Sequence, residues 1–501
     1  MGGVLMLISI DNFSGMQPAI EPHLLQPNMA KVATNVNLIK GSLRPWKKEL
    51  IDTTLFQSDV LIKTIYQYLE TYWFEFSAEV HILPGPIAND TNNRRYFTGI
   101  GIPKKTNQTE ATTGSPPYPV NYYPMAAPLP HKALTAALGA GGSGDPRSIA
   151  YEWTVVTSWG EESPPSPVSN IVSAMQGQTV NLSGITIAWA AGQDYEVGNF
   201  TIPSAGVVDH VYMCVDAGTS GGGEPTWGTT VDGDTADNTV TWRAYKKAIL
   251  FDSGATKRIY RTLTGDVFAN YHYIGNVAMA TDAYVDTKTD TEASGGTILP
   301  SETWFGPPVG MQGLTSIGRF LAGFQGKDLY FSEPNYPHAW PPEYSFPIDF
   351  PIVAMGGLGN TLVIGTEQNP FIVQGNHPGV LTPIRFADSH PCVSSRGLVA
   401  FEGGIAFPSN DGLYFVSGGS GRVITKGAYT KKEWKALHPE TFIGAFHNSR
   451  YFAFYDDGAG DVGGVIINMQ NGSVSKVNLA ATALYVYPKT DTLYFNLQVT
   501  V

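Results

Sequence analysis

The sequence predicts an all-β protein whose main body is a β-propeller of about five to seven blades. Glycine and proline are abundant, with 55 and 35 among 501 residues, whereas only 15% of the chain is charged. That composition suits many short strands joined by tight turns and does not suit a helical bundle. A hydrophobic content of 43% is enough to bury a large core, which argues against a disordered chain.

Strand–turn–strand units recur in the C-terminal part of the chain. Their first strands begin near positions 320, 361, 404, 450 and 483, a spacing of 33 to 46 residues. A repeat of roughly 40–50 residues with several strands is typical of a propeller blade, and three returning strands share a Leu-Tyr-Phe ending that could fill the space between blades. An ordinary β-sandwich with aromatic strands is the alternative. The predicted strand pairs are 320–324 with 328–332, 361–365 with 370–374, 404–407 with 412–416, 450–455 with 462–467, and 483–487 with 492–496.

The N-terminal part, residues 1–146, is expected to supply the first propeller strands and an extended loop. Residues 72–76 and 79–83 are predicted to form one hairpin, because Pro84 and the residues after it stop the second strand. Propellers often close by joining strands from both chain ends, so residues 50–110 are expected to pack beside the C-terminal blades of residues 301–501. Residues 104–147 are rich in Pro, Ala and Gly and are predicted to be a long arm or loop.

An inserted region, residues 147–300, has a different pattern. Strand-like segments at 149–158, 257–262 and 271–277, with a Gly-Glu-Glu-Ser turn after the first, resemble a fibronectin type III or immunoglobulin-like β-sandwich. A nested module at about 190–246 carries GTSG, EPTW and TVTW sequences and looks like a small β module of phage virion proteins. Its Trp227 and Trp242 are either core residues of an extra hairpin or a patch that contacts a glycan or a partner.

No catalytic, cofactor-binding or metal-binding residue is predicted, and we do not expect an enzyme. Ser220 stands in a Gly-x-Ser-x-Gly sequence, but the residues after it cannot open the helix that a nucleophile elbow needs. The acidic stretch 232–237 lacks the Gly and Glu of a calcium loop and is predicted to be a surface turn. A turn with three carboxylates at 456–461 is expected to face solvent. Cys214 and Cys392 have no metal-ligand spacing and are predicted to be buried free thiols.

The formal net charge of −12 argues against nucleic-acid binding as the main task, because phosphate recognition needs clustered Lys and Arg. An acidic wall can still line a passage for DNA, since like charge prevents sticking. The apolar run from Val4 to Ile10 is much shorter than the roughly 20 residues of a membrane helix. We therefore expect a soluble protein made in a cytoplasm, without membrane insertion.

Residues 28–48 resemble the opening of the tail-hub or nozzle proteins of short-tailed bacteriophages. Stretches at 73–106 and 329–349 are also similar to phage structural proteins. The N-terminal pattern falls on Ala30, Asn35, Leu38, Gly41, Leu43, Arg44 and Pro45.

The resemblance implies a structural virion protein that forms a homo-oligomeric ring, commonly a hexamer, below the portal and adaptor proteins. Such a ring continues the DNA channel, retains the genome until ejection, and carries tail fibres or spikes. The genomic DNA passes without specific binding, and no cofactor is implied. The protein is then expected in the virion tail, after assembly in the cytoplasm of the bacterial host.

Two other functions stay open at this stage. The chain could be a glycan-binding virion protein that contacts the host surface through Trp227 and Trp242 of the inserted region. A lesser alternative is a polysaccharide hydrolase, which needs two carboxylates roughly 5–10 Å apart in a cleft. The sequence names no such pair.

Overall fold

The fold is seen in a computed structural model, which describes residues 12–37, 41–42, 44–46, 50–53, 55–57, 60–204, 209–263 and 270–497. The predicted all-β class is confirmed, since strands form nearly all of the regular structure and build many small sheets. Within the described ranges, no sheet closes on itself. The run from Val4 to Ile10 and the motif residues Leu38 and Leu43 lie outside those ranges. The helices there are Gln108–Thr112, Ala248–Phe251, Asp290–Ser294 and Lys431–Lys435, with 3-10 turns at Pro22–Leu24, Pro342–Tyr344, Pro378–Val380 and Pro439–Thr441.

Four antiparallel sheets of four strands follow one another in space, and we number them 1 to 4. Sheet 1 contains His81–Pro84, Arg95–Thr98, Lys104–Thr106 and Tyr123–Pro124. Sheet 2 contains Gln312–Ile317, Phe320–Gln325, Asp328–Phe331 and Ser345–Pro347. Sheet 3 contains Ile352–Leu358, Thr361–Thr366, Phe371–Gln374 and Pro383–Arg385. Sheet 4 contains Val399–Phe401, Gly404–Ser409, Gly412–Ser417 and Ser420–Val423.

Sheet 5 joins the two ends of the chain. Its first four strands are Ile443–His447, Arg450–Asp456, Val462–Asn468 and Val474–Val477, and its last two are Gly15–Met16 and Met29–Ala30. Met16 pairs with Val474 in antiparallel register, and the Asn35 backbone amide donates to the Lys476 carbonyl. The strands Val36–Asn37 and Arg44–Pro45 form a small pair beside this sheet.

Two hairpins accompany the numbered sheets. We call Thr64–Tyr68 with Tyr72–Phe76 the N-terminal hairpin, and Ala481–Tyr487 with Thr492–Leu497 the C-terminal hairpin. All five C-terminal strand pairs predicted from the sequence are confirmed. At the tip of the first pair, Gly326 has φ of +62°, a conformation that glycine adopts without strain.

The predicted pairing of residues 72–76 with 79–83 is wrong. Tyr72–Phe76 pairs with the preceding strand, Thr64–Tyr68, and His81–Pro84 pairs with Arg95–Thr98. Aromatic packing favours the pairing of Tyr72–Phe76 with Thr64–Tyr68, because the rings of Tyr68 and Phe74 pack across this hairpin with centroids 4.8 Å apart. The expectation that residues 50–110 pack beside the C-terminal sheets is confirmed, since the N-terminal hairpin lies beside the C-terminal hairpin.

Apolar clusters lie between neighbouring sheets. Sheets 2 and 3 share a cluster that contains Phe320 and Leu362, and sheets 3 and 4 share one that contains Val363 and Phe407. Further clusters join sheet 1 to sheet 2, sheet 4 to sheet 5, sheet 5 to the C-terminal hairpin, that hairpin to the N-terminal hairpin, and the N-terminal hairpin to sheet 1. Each sheet is thus held on two sides by apolar contacts.

The inserted region contains two three-stranded sheets that share one large core. One sheet is ordered Thr135–Ile149, Val172–Ser183, Ala283–Asp286, and the other Tyr151–Val156, Thr256–Thr262, Tyr271–Ala278. Trp153, Val180 and Ile259 meet in this core. The long arm or loop predicted for residues 104–147 is wrong at both ends, because Lys104–Thr106 is a strand of sheet 1 and the Gly-rich stretch belongs to the 15-residue strand Thr135–Ile149. Two register irregularities with its partner strand accommodate the glycines.

The nested module is built on a third sheet within the inserted region. Its strand order is Phe200–Thr201, His210–Asp216, Val240–Lys246, Asp234–Asp237, and a short pair Asp194–Tyr195 with Gly218–Thr219 lies beside it. A small aromatic core, which includes Tyr195, Tyr212 and Trp242, fills the module.

Candidate functional site

The two tryptophans predicted as contact residues lie in one aromatic cluster of the nested module, with rings 5.9 Å apart. Trp242 is fully buried, and its indole N–H donates to Asp237 Oδ2 at 3.1 Å. A buried ring cannot stack on a sugar, so of the two roles that the sequence left open for Trp242 the structure supports the core residue and not the contact residue. Trp227 is partly exposed, packs on Tyr212 with ring centroids 4.2 Å apart, and donates to Glu224 Oε1 at 2.9 Å.

The acidic stretch 232–237 is more than the predicted surface turn. Asp237 is buried at the end of a strand, where it accepts hydrogen bonds from the indoles of Trp189 and Trp242 and from the Gly221 amide. Such a buried carboxylate organises the module, because the two indole donors would otherwise be buried without partners.

The remaining sequence candidates have structural partners as well. Ser220 is buried and donates to the Ala190 carbonyl at 2.7 Å, so it holds a turn in place. The turn at 456–461 is exposed, as predicted, and Asp457 accepts two backbone amides of that turn. Cys214 and Cys392 are buried free thiols, as predicted, and burial raises the pKa of each to about 12.

A set of buried charges connects sheet 1 with the inserted region. Lys105 forms an ion pair with Glu161, and both side chains are almost completely buried. Arg94 lies 3.5 Å from Glu161 and 3.0 Å from Asp90. We call these four residues the joint: Asp90, Arg94, Lys105 and Glu161. The joint could not be recognised from the sequence, because Lys105 and Glu161 are 56 residues apart and have no motif spacing.

Burial and pairing oppose each other at the joint. Desolvation lowers the pKa of Lys105, although the Glu161 carboxylate counteracts this effect. For Glu161, burial alone would raise the pKa, but Lys105, and to a smaller extent His338 and Arg94, bring it below its ordinary value. Lys105 also donates to the Met125 carbonyl at 3.0 Å, so both partners are held in position. Pairing therefore opposes the effect of burial at both groups.

A second ion pair fixes the nested module to sheet 1. Buried Lys104 donates to Asp232 Oδ2 at 2.8 Å, and Asp232 in turn accepts from Tyr245. Nearby, Arg243 forms two hydrogen bonds with Asp234. Sheet 1 thus carries neighbouring lysines that face two different parts of the inserted region.

A polar cluster lies where the N-terminal hairpin, sheet 1, sheet 4 and the C-terminal hairpin meet. Arg396 donates to the backbone carbonyls of Lys63 and Thr482, the latter at 2.6 Å. Ser395 donates to Glu79 Oε2 at 2.8 Å, and a cavity of about 230 Å³ adjoins Glu79 and His81. These contacts tie together segments that are 86 to 333 residues apart in sequence.

A separate apolar cavity of about 190 Å³ lies between sheet 1, the nested module and the segment that leads to sheet 2. Met125, Met213 and Phe305 line it. In the described part of the chain, no group of three or more His, Cys, Asp or Glu side chains is arranged to hold a metal ion. None of the helices described there is long and apolar enough to cross a membrane.

The structure describes several residues of the phage-like N-terminal pattern. Asn35 accepts the Asn478 amide on its side-chain oxygen at 2.9 Å, which attaches the N-terminal segment to the end of sheet 5. Gly41 has φ of +70°, and a Cβ there would lie 2.1 Å from Asn12 Oδ1. Arg44 and Pro45 form the strand that pairs with Val36–Asn37.

Comparisons with known proteins give no family. No protein-family model matches the chain, and no curated protein matches it. Among solved structures, a chain of the S. cerevisiae Dbp5 complex with Nup159, Gle1, IP6 and ADP matches at 12% identity and a TM-score of 0.25, covering 33% of this chain and 46% of that one.

Two further structures match at similar levels. The N-terminal domain of Nup159 is 10% identical with a TM-score of 0.25 and covers 70% of this chain and 71% of its own. PorZ, a component of the type-IX secretion system of Porphyromonas gingivalis, is 10% identical with a TM-score of 0.13 and covers 82% and 62%. At these TM-scores the likenesses carry no argument about fold or function.

Proposed function

We propose that this chain is a structural virion protein that forms the tail hub, or nozzle, of a short-tailed bacteriophage. The proposal rests on the resemblance of residues 28–48, 73–106 and 329–349 to that family. The structural observation that carries the proposal is the division of the chain into two parts. One part is a set of small sheets held together by apolar clusters, and the other is an inserted region attached to these sheets through buried ion pairs.

We infer that the sheets and hairpins are the blades of a seven-bladed propeller. The first strands of sheets 1 to 5 and of the C-terminal and N-terminal hairpins follow one another as neighbours. The series returns to its start at the N-terminal hairpin, where Val80, next to sheet 1, donates to Thr64 Oγ1 at 3.0 Å. Strands from both chain ends in sheet 5 fit the way in which propellers close.

We further infer that the inserted region is a fibronectin III or immunoglobulin-like β-sandwich. Its two three-stranded sheets share one core, which is the layering that such a sandwich requires. The nested module is then an elaboration of this sandwich. On this interpretation residues 1–146 and 301–501 carry the propeller, with the sandwich at 147–300 and the strand Thr135–Ile149 extending across the first boundary.

A hub subunit must keep its shape while neighbours, adaptor and fibres bind to it. Seven apolar contacts between blades and buried ion pairs at the insertion supply that rigidity. The net charge of −12, multiplied in a ring, lets DNA pass an acidic wall without sticking. The proposed partners are further copies of the chain, commonly six in a ring, the portal and adaptor proteins, and tail fibres or spikes. The proposed location is the virion tail.

Glycan binding through the nested module is the second candidate. The observation in its favour is Trp227, whose partly exposed ring lies beside the Glu224 carboxylate, an arrangement suited to a sugar face and its hydroxyls. The burial of Trp242 reduces the aromatic surface to a single ring. No observation favours the hydrolase alternative.

Electron microscopy of the purified chain with portal–adaptor rings tests the proposal. We expect the chain to form a further ring on the adaptor end of these particles and to leave portal-only particles unchanged. In parallel, host-surface polysaccharide is immobilised and the chain passed over it. Retention on polysaccharide without binding to adaptor, lost in Trp227→Ala, would replace the hub proposal with the glycan-binding one.

A further inference from the structure

The apolar cavity of about 190 Å³ is built from three separate parts of the chain. Met125 comes directly after the last strand of sheet 1, Met213 lies in a strand of the nested module, and Phe305 lies in the segment that leads to sheet 2. Met125 and Met213 are buried, whereas Phe305, Val197 and Val309 are 41%, 46% and 43% exposed and mark the mouth of the cavity. The cavity is therefore accessible to a group from outside the chain.

The lining of the cavity selects an apolar group. Among the described residues that form it, the side chains are those of Pro, Met, Ala, Val, Leu, Ile and Phe, with two glycines, and none carries a charge, a hydroxyl or an amide. An apolar cavity of roughly 150 Å³ admits a benzene ring. A cavity of about 190 Å³ therefore has room for the smaller side chain of a Leu or an Ile, and burial of that side chain there is favourable.

A matching pair of side chains is present on the chain itself. Leu50 and Ile51 are 94% and 90% exposed, more than any other large hydrophobic side chain in the described ranges. Before them, the ring of Trp46 packs on a phenylalanine of sheet 5 with centroids 6.1 Å apart. After them, the Phe56 amide donates at 3.0 Å to Glu75, a buried carboxylate of the N-terminal hairpin. The Leu50–Ile51 pair thus lies between two anchored points and projects into solvent.

The pair and the cavity lie on different surfaces of the molecule. The anchors of the pair belong to sheet 5 and the N-terminal hairpin, whereas the cavity lies at sheet 1, the nested module and the segment before sheet 2. Neither Leu50 nor Ile51 is among the described residues that line the cavity of their own chain. A projecting apolar group and an apolar pocket on separate surfaces of one chain make a head-to-tail contact between copies, which closes into a ring when the rotation allows it. Such a contact covers both features in every copy of the ring.

We propose that the Leu50–Ile51 pair of one copy inserts into the apolar cavity of the next copy. This inference rests on the proposed ring of copies and assigns the contact between its subunits. A standard interface buries roughly 800 Å² on each partner, so the inserted pair is the anchor of a larger contact rather than the whole of it. Because the cavity is shared by sheet 1 and the nested module, each copy would contact both parts of its neighbour.

Cysteine cross-linking of the full chain tests the contact directly. Leu50→Cys and Val309→Cys are prepared as separate variants, mixed, and oxidised both with portal–adaptor rings and without them. The native thiols, Cys214 and Cys392, are buried and do not compete. We expect covalent dimers in the mixture and none with either variant alone. In the control mixture Val380→Cys, at a side chain that is 74% exposed on sheet 3's side of the molecule, replaces Val309→Cys and should give no dimer.

The outcomes separate this contact from the proposed hub. Rings that imaging shows on the adaptor, but without a cross-link between the two variants, would overturn the contact and leave the hub standing. Cross-links that form without any binding to the adaptor would support the contact and contradict the hub. A cross-link of Val309→Cys to the adaptor, or of Leu50→Cys only to itself, would assign another occupant to the cavity and overturn the contact, as would the absence of dimers under both conditions.

The variant Leu50→Ser supplies a second, independent readout. Removing the side chain that the cavity would bury should raise the concentration at which copies associate at least about tenfold, measured by sedimentation and by the occupancy of rings on the adaptor. Leu24→Ser is the matched control, because Leu24 is also exposed, at 66%, and lies outside the proposed contact. Both side chains are exposed in the isolated chain, so neither change should affect folding. Equal weakening in the two variants, or no weakening in Leu50→Ser, would overturn the contact.

Discussion

The contacts between neighbouring sheets and the contacts at the joint hold the molecule together by different means. Between sheets 2 and 3, Phe320, Leu329 and Leu362 pack in one buried apolar cluster. At the joint, Lys105 and Glu161 form a buried ion pair, and removing either partner would leave the other charge without compensation. An apolar cluster is held by close packing, whereas a buried ion pair also requires matched charges. The inserted region is attached to sheet 1 by both, since Tyr123 of sheet 1 belongs to its core and Lys105 pairs with Glu161.

The largest loss of stability is expected when an apolar cluster between two sheets is disrupted. Phe320→Ala removes a fully buried ring between sheets 2 and 3 and should lower the free energy of unfolding by about 3–5 kcal/mol. Urea unfolding monitored by circular dichroism measures it. Val380→Ala, at a side chain that is 74% exposed, is the control and should leave stability unchanged. A loss below about 1 kcal/mol for Phe320→Ala would mean that this cluster does not hold the sheets.

A comparable loss of stability is expected when one partner of the ion pair in the joint loses its charge. Glu161→Gln leaves the Lys105 ammonium buried without a counter-charge and should cost about 3 kcal/mol in the same assay. The double variant Lys105→Met with Glu161→Gln should recover a large part of that loss. Glu70→Gln, which breaks the exposed pair with Lys489, should have no measurable effect. If Glu161→Gln and Glu70→Gln change the free energy of unfolding equally, the buried pair at the joint contributes no more to stability than an exposed pair.

A pH-dependent effect is expected within the inserted region. Burial and the Glu302 carboxylate raise the pKa of Glu152 from 4.5 to about 7, although a hydrogen bond from Tyr271 opposes the rise. Because the folded protein holds this proton more tightly than the unfolded chain, the contribution of Glu152 to stability is full below pH 4.5 and is lost as pH rises through 7. Glu152→Gln should thus melt higher than the parent above pH 7, and the difference should vanish below pH 4.5. If Glu152→Gln and the parent melt at the same temperature both below pH 4.5 and above pH 7, the raised pKa of Glu152 is contradicted.

The smallest effect concerns the nested module. Asp237→Asn keeps the shape of the side chain but gives a weaker acceptor to the indoles of Trp189 and Trp242, and should cost about 1–2 kcal/mol. Hydrogen exchange of peptides from residues 210–246, measured by mass spectrometry at increasing urea concentration, reports on this module. Asp234→Asn, at a half-exposed carboxylate that pairs with Arg243, is the matched control and should change the unfolding midpoint much less.

The same comparison explains what the sequence could predict. Hairpins such as 361–366 with 371–374 were predictable, because alternation, turn residues and strand pairing are all local. The strand Thr135–Ile149 was missed because its glycines indicate a loop, and only pairing with a distant strand makes it extended. The joint was missed because Lys105 and Glu161 are 56 residues apart and become a pair only after folding. From the sequence, Trp242 could lie in a core or on a surface. The fold provides the buried Asp237 carboxylate that accepts its indole N–H, and this hydrogen bond allows the ring to be buried.

Native mass measurement of the chain, alone and with portal–adaptor rings, tests the proposed hub most directly. The account predicts that the adaptor end gains a fixed number of copies, commonly six, and that imaging shows them as one further ring. The glutamine variant of Glu161, tested alongside, should bind in fewer copies if a rigid joint is needed for ring closure. A chain that remains a monomer and leaves the mass of the adaptor rings unchanged would contradict the account.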